Sequence, residues 1–351
     1  MRVAFILPSL ANKGPIIVAR DIVNELAKKD AIECTVFYFD DIKELTFACP
    51  VKQISFTSKI NSKEFDIIHS HMLRPDLFAA FRLKRSKKTR LISTVHSYID
   101  EDLKNSYGPI VSFFTKYIWY FALNRLDKVV CLSKDMINYY KNRIRNNRLT
   151  YVYNGRTTLN NISNKITSHV EETSIIEQLK SKYTVIGGIG NITKIKGFEQ
   201  LIKVLSVNPR YAVIIIGDGP EKESLIRLAK ENKVDERCIF LGYKSNATDY
   251  YHYFDVFAIT SYSEGFSLVL IEAAAYNLPV VCSDINIFRE LFNSSEVCFY
   301  TLYNIKDLSQ ALDKAIKNRG ELSKNIHKRY IEKYTAEKMA ENYLELYQSL
   351  V

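Results

Sequence analysis

No stretch of about eighteen apolar residues runs free of charge, so the sequence offers no evident membrane-spanning helix. Cysteine is sparse. Cys34, Cys49, Cys131, Cys238, Cys282 and Cys298 form no Cys-x-x-Cys pair, and no cluster of Cys and His suggests a zinc site. That excludes a disulfide scaffold, and a reduced cytoplasmic protein with buried thiols is the simplest account. Twelve glycines and eight prolines in 351 residues exclude a collagen. The opening MRVAFILPSL carries one Arg and a short apolar run but no small-residue cleavage site. It reads as a first β-strand rather than a signal peptide.

What is present fits a globular protein. Hydrophobic residues make up 47% and charged residues 25%, enough to bury a full core and too apolar for disorder. A length of 351 residues predicts two domains.

The net charge of +10 is unevenly placed. Residues 1–155 hold 25 Lys+Arg against 15 Asp+Glu, and the remainder holds 24 of each. The excess is densest at Arg82, Lys84, Arg85, Lys87, Lys88 and Arg90, and again at Lys141, Arg143, Arg145 and Arg148. Such runs are usually solvated surface. The sharper alternatives are an anionic membrane surface or nucleic acid.

Short apolar runs alternate with helical patterns throughout. Strands are predicted at Arg2–Leu7, Cys34–Phe39, Asp66–His69, Leu91–Val95, Lys128–Leu132 and Leu149–Val152, with helices at 15–29, 75–84, 109–125 and 134–143. Thr157–Thr173, rich in Asn, Ser and Thr, reads as a linker or irregular excursion. A second series follows, with strands at Thr184–Ile189, Tyr211–Ile216, Cys238–Leu241, Val256–Ile259 and Val280–Cys282. Its helices fall near 197–206, 220–232, 268–276, 306–318, 321–333 and 336–349. The expectation is an α/β protein with two doubly wound, Rossmann-like domains in tandem, spanning 1–160 and 175–334. In such sheets ligands bind beyond the carboxyl ends of the strands, and the two rims are expected to face a common cleft.

The most informative segment is Ser263-Glu264-Gly265-Phe266-Ser267-Leu268-Val269-Leu270-Ile271-Glu272, which follows the strand at Val256–Ile259. Ser267 can cap the following helix through its hydroxyl, and Asn277 then Pro279 end it. Glu264 falls in the loop, Gly265 permits close backbone approach, and free N–H groups at the helix start suit phosphate. Glu272 lies one turn further, where a carboxylate can accept from vicinal hydroxyls. Acids on either side of an anion site suit a molecule with hydroxyls at both ends and phosphates between, such as a nucleotide-sugar. The plain alternative is two solvated glutamates beside a loop.

A second segment, Gly187-Gly188-Ile189-Gly190-Asn191-Ile192-Thr193-Lys194-Ile195-Lys196-Gly197, runs from a strand into a helix, with Lys194 and Lys196 able to meet a diphosphate. It also half-matches a dinucleotide fingerprint through Gly188-x-Gly190-x-x-Thr193, with Asp218 as a candidate ribose acid. A nicotinamide oxidoreductase therefore stays open as an alternative.

Taken together these residues resemble the retaining glycosyltransferases of family 4, which have the GT-B fold. The carrying motifs are the Glu264–Glu272 pair, Gly190 with Lys196-Gly197, Gly217-Asp218-Gly219-Pro220, Phe240-Leu241-Gly242 and the run Ala273–Val281. In the first half they are Gly14, Asp66–His71, Thr94-Val95-His96, Val130–Ser133 and Asn154-Gly155. The resemblance implies that His96 and Glu264 serve catalysis, with Glu264 on the transferred sugar and His96 beside it at the reacting centre. It places Gly265, Phe266, Ser267 and Leu268 near sugar and phosphates, Glu272 on the ribose, and Lys196 on the diphosphate. Gly14, Asn154, Asn191, Lys194, Gly217 and Tyr243 complete the implied substrate site. Two positions depart from the family: Asn191 replaces its Arg, and Lys13-Gly14-Pro15 replaces a pair of glycines. The family generally uses no catalytic metal, and no Asp-x-Asp stands at a strand end here. The last helix, in 335–351, is expected to cross back to the first domain, as in that fold.

The implied activity is retaining transfer from a nucleotide-sugar, UDP-linked by preference and GDP-linked as the alternative, to a glycan or lipid-linked acceptor. The implied setting is bacterial surface-polysaccharide or lipopolysaccharide (O-antigen) synthesis. Read without the family, His96 is a lone strand-end histidine, more often structural than catalytic. His69 and His71 lack a nearby third ligand for a metal.

Pro109–Leu126 reads PIVSFFTKYIWYFALNRL and holds the one tryptophan, Trp119. Ile110, Phe113, Phe114, Tyr117, Ile118 and Phe121 share a face at helical spacing. The plain reading is a buried core helix. The alternative is an aromatic surface that dips into the headgroup region beside the basic runs, placing a cytoplasmic enzyme peripherally at the inner membrane face. A third class, a basic nucleic-acid binder without catalysis, finds no recognisable motif, and the basic runs lack interleaved stacking aromatics; no nucleic-acid partner is expected.

Overall fold

The computed structural model describes residues 1–106, 108–157 and 170–351. They form two compact units, Met1–Thr157 with Lys333–Val351, and Thr158–Glu332.

In the first unit the strands are β1 (Arg2–Leu7), β2 (Glu33–Tyr38), β3 (Val51–Gln53), β4 (Ile67–His71), β5 (Arg90–Thr94), β6 (Lys128–Cys131) and β7 (Leu149–Tyr151). They make one sheet in the order β3-β2-β1-β4-β5-β6-β7, all pairs parallel. Helices α1 (Gly14–Leu26), α2 (Leu73–Phe81), α3 (Ile99–Ser106), α4 (Pro109–Leu123) and α5 (Lys134–Tyr140) make the crossovers. Both faces of such a sheet are covered, so its strands read as apolar runs: β1 buries every residue except Arg2.

The second unit repeats the plan. After α6 (Val170–Lys180) come β8 (Thr184–Ile189), α7 (Glu199–Val207), β9 (Tyr211–Ile216), α8 (Lys222–Glu231), β10 (Cys238–Gly242), β11 (Val256–Ile259), α9 (Leu268–Ala275), β12 (Val280–Ser283), α10 (Asn286–Leu291) and β13 (Cys298–Tyr300). Helices α11 (Ile305–Lys317) and α12 (Arg319–Lys333) follow. The parallel order is β10-β9-β8-β11-β12-β13. The direction of winding reverses between β8 and β11, and again between β1 and β4 in the first sheet. Crevices form beyond the strand ends at such reversals. The last helix, α13 (Ala336–Gln348), packs on α1 in the first unit.

The two Rossmann-like sheets expected from the sequence are present. The differences lie in short or polar elements. β3 is a fully exposed edge of three residues, Val-Lys-Gln, with no apolar alternation to read. β13 is equally short, and α3 and α10 were not anticipated. Of the expected linker Thr157–Thr173, residues 158–169 lie outside the described residues, and α6 is helical from Val170.

The core reading of Pro109–Leu126 is overturned. Ile110, Phe113, Phe114, Tyr117, Ile118 and Phe121 are each more than half exposed on α4. The opposite side carries the packing: Trp119 is buried and its Nε1 donates to Asp76 Oδ2 at 2.7 Å, while Ser70 Oγ donates to Asp76 Oδ1 at 2.6 Å. Periodicity finds a helix face but not which way it turns, and here one buried carboxylate fastens the other face to β4. Burial pushes the Asp76 carboxyl up to about 7, against these donors, which pull it down.

Candidate active site

The loops after β8 and β11 meet at the reversal of the second sheet. Gly197 has φ 61, and a Cβ there would collide with the Thr260 carbonyl oxygen, so only glycine lets the two loops close on each other. Thr260 Oγ1 donates to the Lys196 carbonyl at 2.9 Å, and Tyr262 N–H donates to the Ile195 carbonyl at 2.8 Å. These bonds seat the Lys194–Lys196 turn. They aim the Lys196 ammonium at Glu264, with Nζ to Oε1 2.6 Å, and Ser261 Oγ donates to the same oxygen at 2.7 Å. Glu264 is 8% exposed and Lys196 25%, so the pair sits largely out of water.

Ser267 occupies the N-cap position of α9 but makes no side-chain cap bond, which corrects the sequence expectation. Its hydroxyl is buried without a partner. The first amide groups of α9 and this hydroxyl are a ready set of donors for an anion. Gly265 and Leu268 are half-buried beside it, and Phe266 is buried. One turn on, Glu272 Oε2 accepts from Tyr251 Oη at 3.0 Å. Gly217 follows β9 with φ 145 and backs onto the Gly190 carbonyl, which a side chain would strike. Asn191, Lys194 and Tyr243 are exposed around this rim. Asp218, the ribose acid of the dinucleotide alternative, is taken up locally: its carboxylate accepts from Gly219 N–H and Lys222 Nζ, which hold it below its usual range.

In the first unit Gly14 opens α1 after β1, with Pro15 in the first turn where no amide is needed. His96 follows β5. It is not the lone histidine of the sequence reading: its Nε2 lies 2.9 Å from His71 Nδ1, and the two rings stack with centroids 5.1 Å apart. His71 is fully buried, packs against His69 with centroids 4.3 Å apart, and its Nε2 has no partner. His69 is held between Tyr347 Oη at 2.7 Å and Thr94 Oγ1 at 2.8 Å, and Thr94 meets Tyr343 Oη at 2.8 Å. Burial holds the His69 and His96 imidazoles down to about 3 and His71 well below its usual value, with the neighbouring histidines adding to the shift for His69 and His71. All three are neutral at pH 7. A His71–His96 bond between neutral rings couples their tautomers, one nitrogen donating and the other accepting. Among the described residues no group of three or more His, Cys, Asp or Glu is arranged to hold a metal ion.

Asn154 is 2% exposed, beside the bridge that pairs Arg156 with Thr335, and its Oδ1 is buried without a partner. Sequence reasoning missed His71, Ser261 and Tyr251. The first was accessible in principle: parallel register puts His71 opposite Thr94, two residues before His96.

Residues 170–333 match the family model "Glycosyl transferases group 1", and residues 17–158 match "Glycosyltransferase Family 4". The chain is 34% identical over its whole length to an O-antigen biosynthesis glycosyltransferase, WclY, of Escherichia coli, covering 99% of that protein. It is 26% identical, over 84% of its length and 80% of the relative, to an N-acetylgalactosamine-N,N'-diacetylbacillosaminyl-diphospho-undecaprenol 4-alpha-N-acetylgalactosaminyltransferase of Campylobacter jejuni. Among solved structures, Anabaena Alr3699/HepE in complex with UDP and glucose superimposes with a TM-score of 0.77 at 17% identity, covering 99% of both chains.

Proposed function

The chain belongs to the family 4 (group 1) glycosyltransferases, and from that premise we propose that it transfers a sugar from a nucleotide-sugar, preferably UDP-linked, with retention of the anomeric configuration. The observation that carries this reading is the Lys196–Glu264 pair beside the α9 terminus, where a buried hydroxyl awaits a partner. The diphosphate takes the α9 amides and the Ser267 hydroxyl, and draws Lys196 away from Glu264. Glu264, released, accepts from the sugar hydroxyls, Glu272 accepts from the ribose, and His96 contacts the sugar at the reacting centre. The acceptor oxygen bonds to the anomeric carbon as its bond to the phosphate oxygen breaks, on the same face. The acceptor proton passes to the departing phosphate, so no separate base is needed. Lys196 and the helix amides meet the charge that develops there, without a metal ion.

The acceptor in this reading is a glycan or lipid-linked saccharide of a bacterial O-antigen pathway. The names of the Escherichia coli and Campylobacter relatives support it, the second through its diphospho-undecaprenol carrier. No helix among the described residues is long and apolar enough to cross a membrane. The exposed stripe of α4, running over about 17 Å, instead supports peripheral attachment at the inner face of the membrane.

Two results are expected. UDP at about 100 times its dissociation constant raises stability by about 2.7 kcal/mol, and Glu272→Ala abolishes the shift in a thermal scan. Stabilisation by NAD or NADP alone would overturn the reading. Separately, F114E/I118E lowers sedimentation with phosphatidylglycerol vesicles at least ~10-fold while the UDP shift persists. A wild-type protein that ignores such vesicles at low salt sinks the membrane part.

A further inference from the structure

The parallel topology gathers both basic runs of the first unit at one place. Arg90 opens β5, Lys128 opens β6 and Leu149 opens β7, so residues 82–90, 125–128 and 145–148 all approach the amino ends of these strands. His96 lies past the carboxyl end of β5, at the other rim. At the amino-end rim, Arg85, Lys87, Arg90 and Asp127, with the backbone between them, line a pocket of about 290 Å³. A phosphate fits easily within it.

Its charge is unbalanced. Asp127 is the sole carboxylate of the lining. One of its oxygens is spent on the Leu91 N–H at 2.8 Å, and the other lies 3.6 Å from Arg85 Nη1, too far for a hydrogen bond. Arg148 stands within electrostatic reach of both, and its Nε is buried with no partner. Desolvation first, then the charges of Arg145 and Arg85, press its guanidinium below its usual value, with Asp127 the opposing influence. Like charges crowded around a desolvated guanidinium are a costly arrangement that an anion in the neighbouring pocket would relieve.

We propose that this pocket is a phosphate-binding site, with the Arg85 guanidinium as its hydrogen-bond donor, Lys87 as an added point charge and Arg148 adding its charge from outside the lining. Arginine suits the task because its planar fork matches phosphate oxygens. The ligand carries a phosphate monoester or diester. The structure favours a lipid headgroup as its source. The Arg125 guanidinium at the same rim lies over the rings of Phe81 and Phe121, at 5.4 and 5.9 Å, and both rings are exposed at the end of the α4 stripe. Only that choice of source rests on the membrane reading above; the pocket stands without it.

The test compares wild type with R85Q/R148Q, and with K28Q/K338Q, which removes the same charge from the turn after α1 and from α13. In one arm, inorganic phosphate is titrated against chloride at matched ionic strength and the melting temperature is read. In the other, sedimentation with phosphatidylcholine vesicles containing phosphatidylglycerol is measured. The expected result is a phosphate-dependent rise of a few degrees, lost in R85Q/R148Q only, and vesicle affinity at least ~10-fold lower in that variant only. Loss in the phosphate arm alone supports the site with a soluble phosphate as ligand, and loss in the vesicle arm alone supports it with the headgroup. If R85Q/R148Q matches K28Q/K338Q in both arms, the proposal is overturned. A wild type that binds no vesicles defeats the membrane reading and leaves the phosphate arm to decide the pocket.

Discussion

Acidification from pH 7 to pH 5 is expected to remove roughly 4 kcal/mol from the stability of the first unit. His69 and His96 hold their protons off to about pH 3, and His71 stays well below its usual value, all through burial. The unfolded chain protonates the same three rings from about pH 6.5. Stability contributed by the neutral rings is therefore complete above that value and is lost as the pH falls through it. Asp76 works in the opposite sense: folded, its carboxyl takes a proton from about pH 7, long before its unfolded counterpart. Between about pH 4 and 5.5 the unfolded chain thus binds about two more protons than the folded one, worth about 3 kcal/mol per pH unit, and the difference shrinks towards pH 7. Urea midpoints at pH 7.0 and 5.0 check this. Asp76→Asn removes the opposing proton and steepens the loss to about three protons. A midpoint that ignores pH in this range would show that the histidines are protonated in the fold, and the neutral pairing of His71 with His96 would fall with it.

Lys196→Met is expected to lower kcat about 10²–10³-fold, the size of effect that follows loss of one preorganised group facing a developing anion. It also leaves Glu264, 8% exposed, with Ser261 as its remaining bonded donor. Stripping one partner from a buried pair costs about 3–5 kcal/mol. A loss of activity in this variant is therefore ambiguous by itself. The double variant K196M/E264Q, set beside E264Q alone, resolves it: the unpaired carboxylate is gone, stability returns to near the wild-type value, and the rate falls below that of E264Q. Lys196→Met retaining the wild-type rate within about threefold would remove Lys196 from the chemistry. Equal recovery of rate and stability in the double variant would reduce the pair to a structural bridge.

The long apolar strands were legible because a parallel sheet covered on both faces leaves nothing else for runs such as Tyr211–Ile216 to be. The site was legible in the second unit because its residues are close in sequence: Glu264, Ser267 and Glu272 hang on one loop and the helix it enters. Where chemistry depends on neighbours across strands, sequence spacing hid it. His71 and His96 are 25 residues apart and meet only through the register of β4 on β5. Ser267 shows the converse failure. The residue type and position of a cap were right, but its hydroxyl makes no bond to the backbone amides it was expected to satisfy. On α4 the apolar stripe was found correctly but its side stayed open between core and surface, since Asp76, which decides the matter through Trp119, lies 43 residues earlier.

The chain leaves the first unit at Thr157 and re-enters it at Lys333. On the ribosome, all seven strands of the first sheet are therefore made before α13 exists. Until that helix arrives, His69 and Thr94 have no tyrosine hydroxyls to meet, and the face of α1 that α13 covers stays bare. The intervening 175 residues take roughly 10–35 s to synthesise. Through that interval the first unit is an unfinished intermediate that translation alone can complete. A chain interrupted before α13 would carry a first unit whose α1 face is bare and whose His69 and Thr94 lack their tyrosine partners.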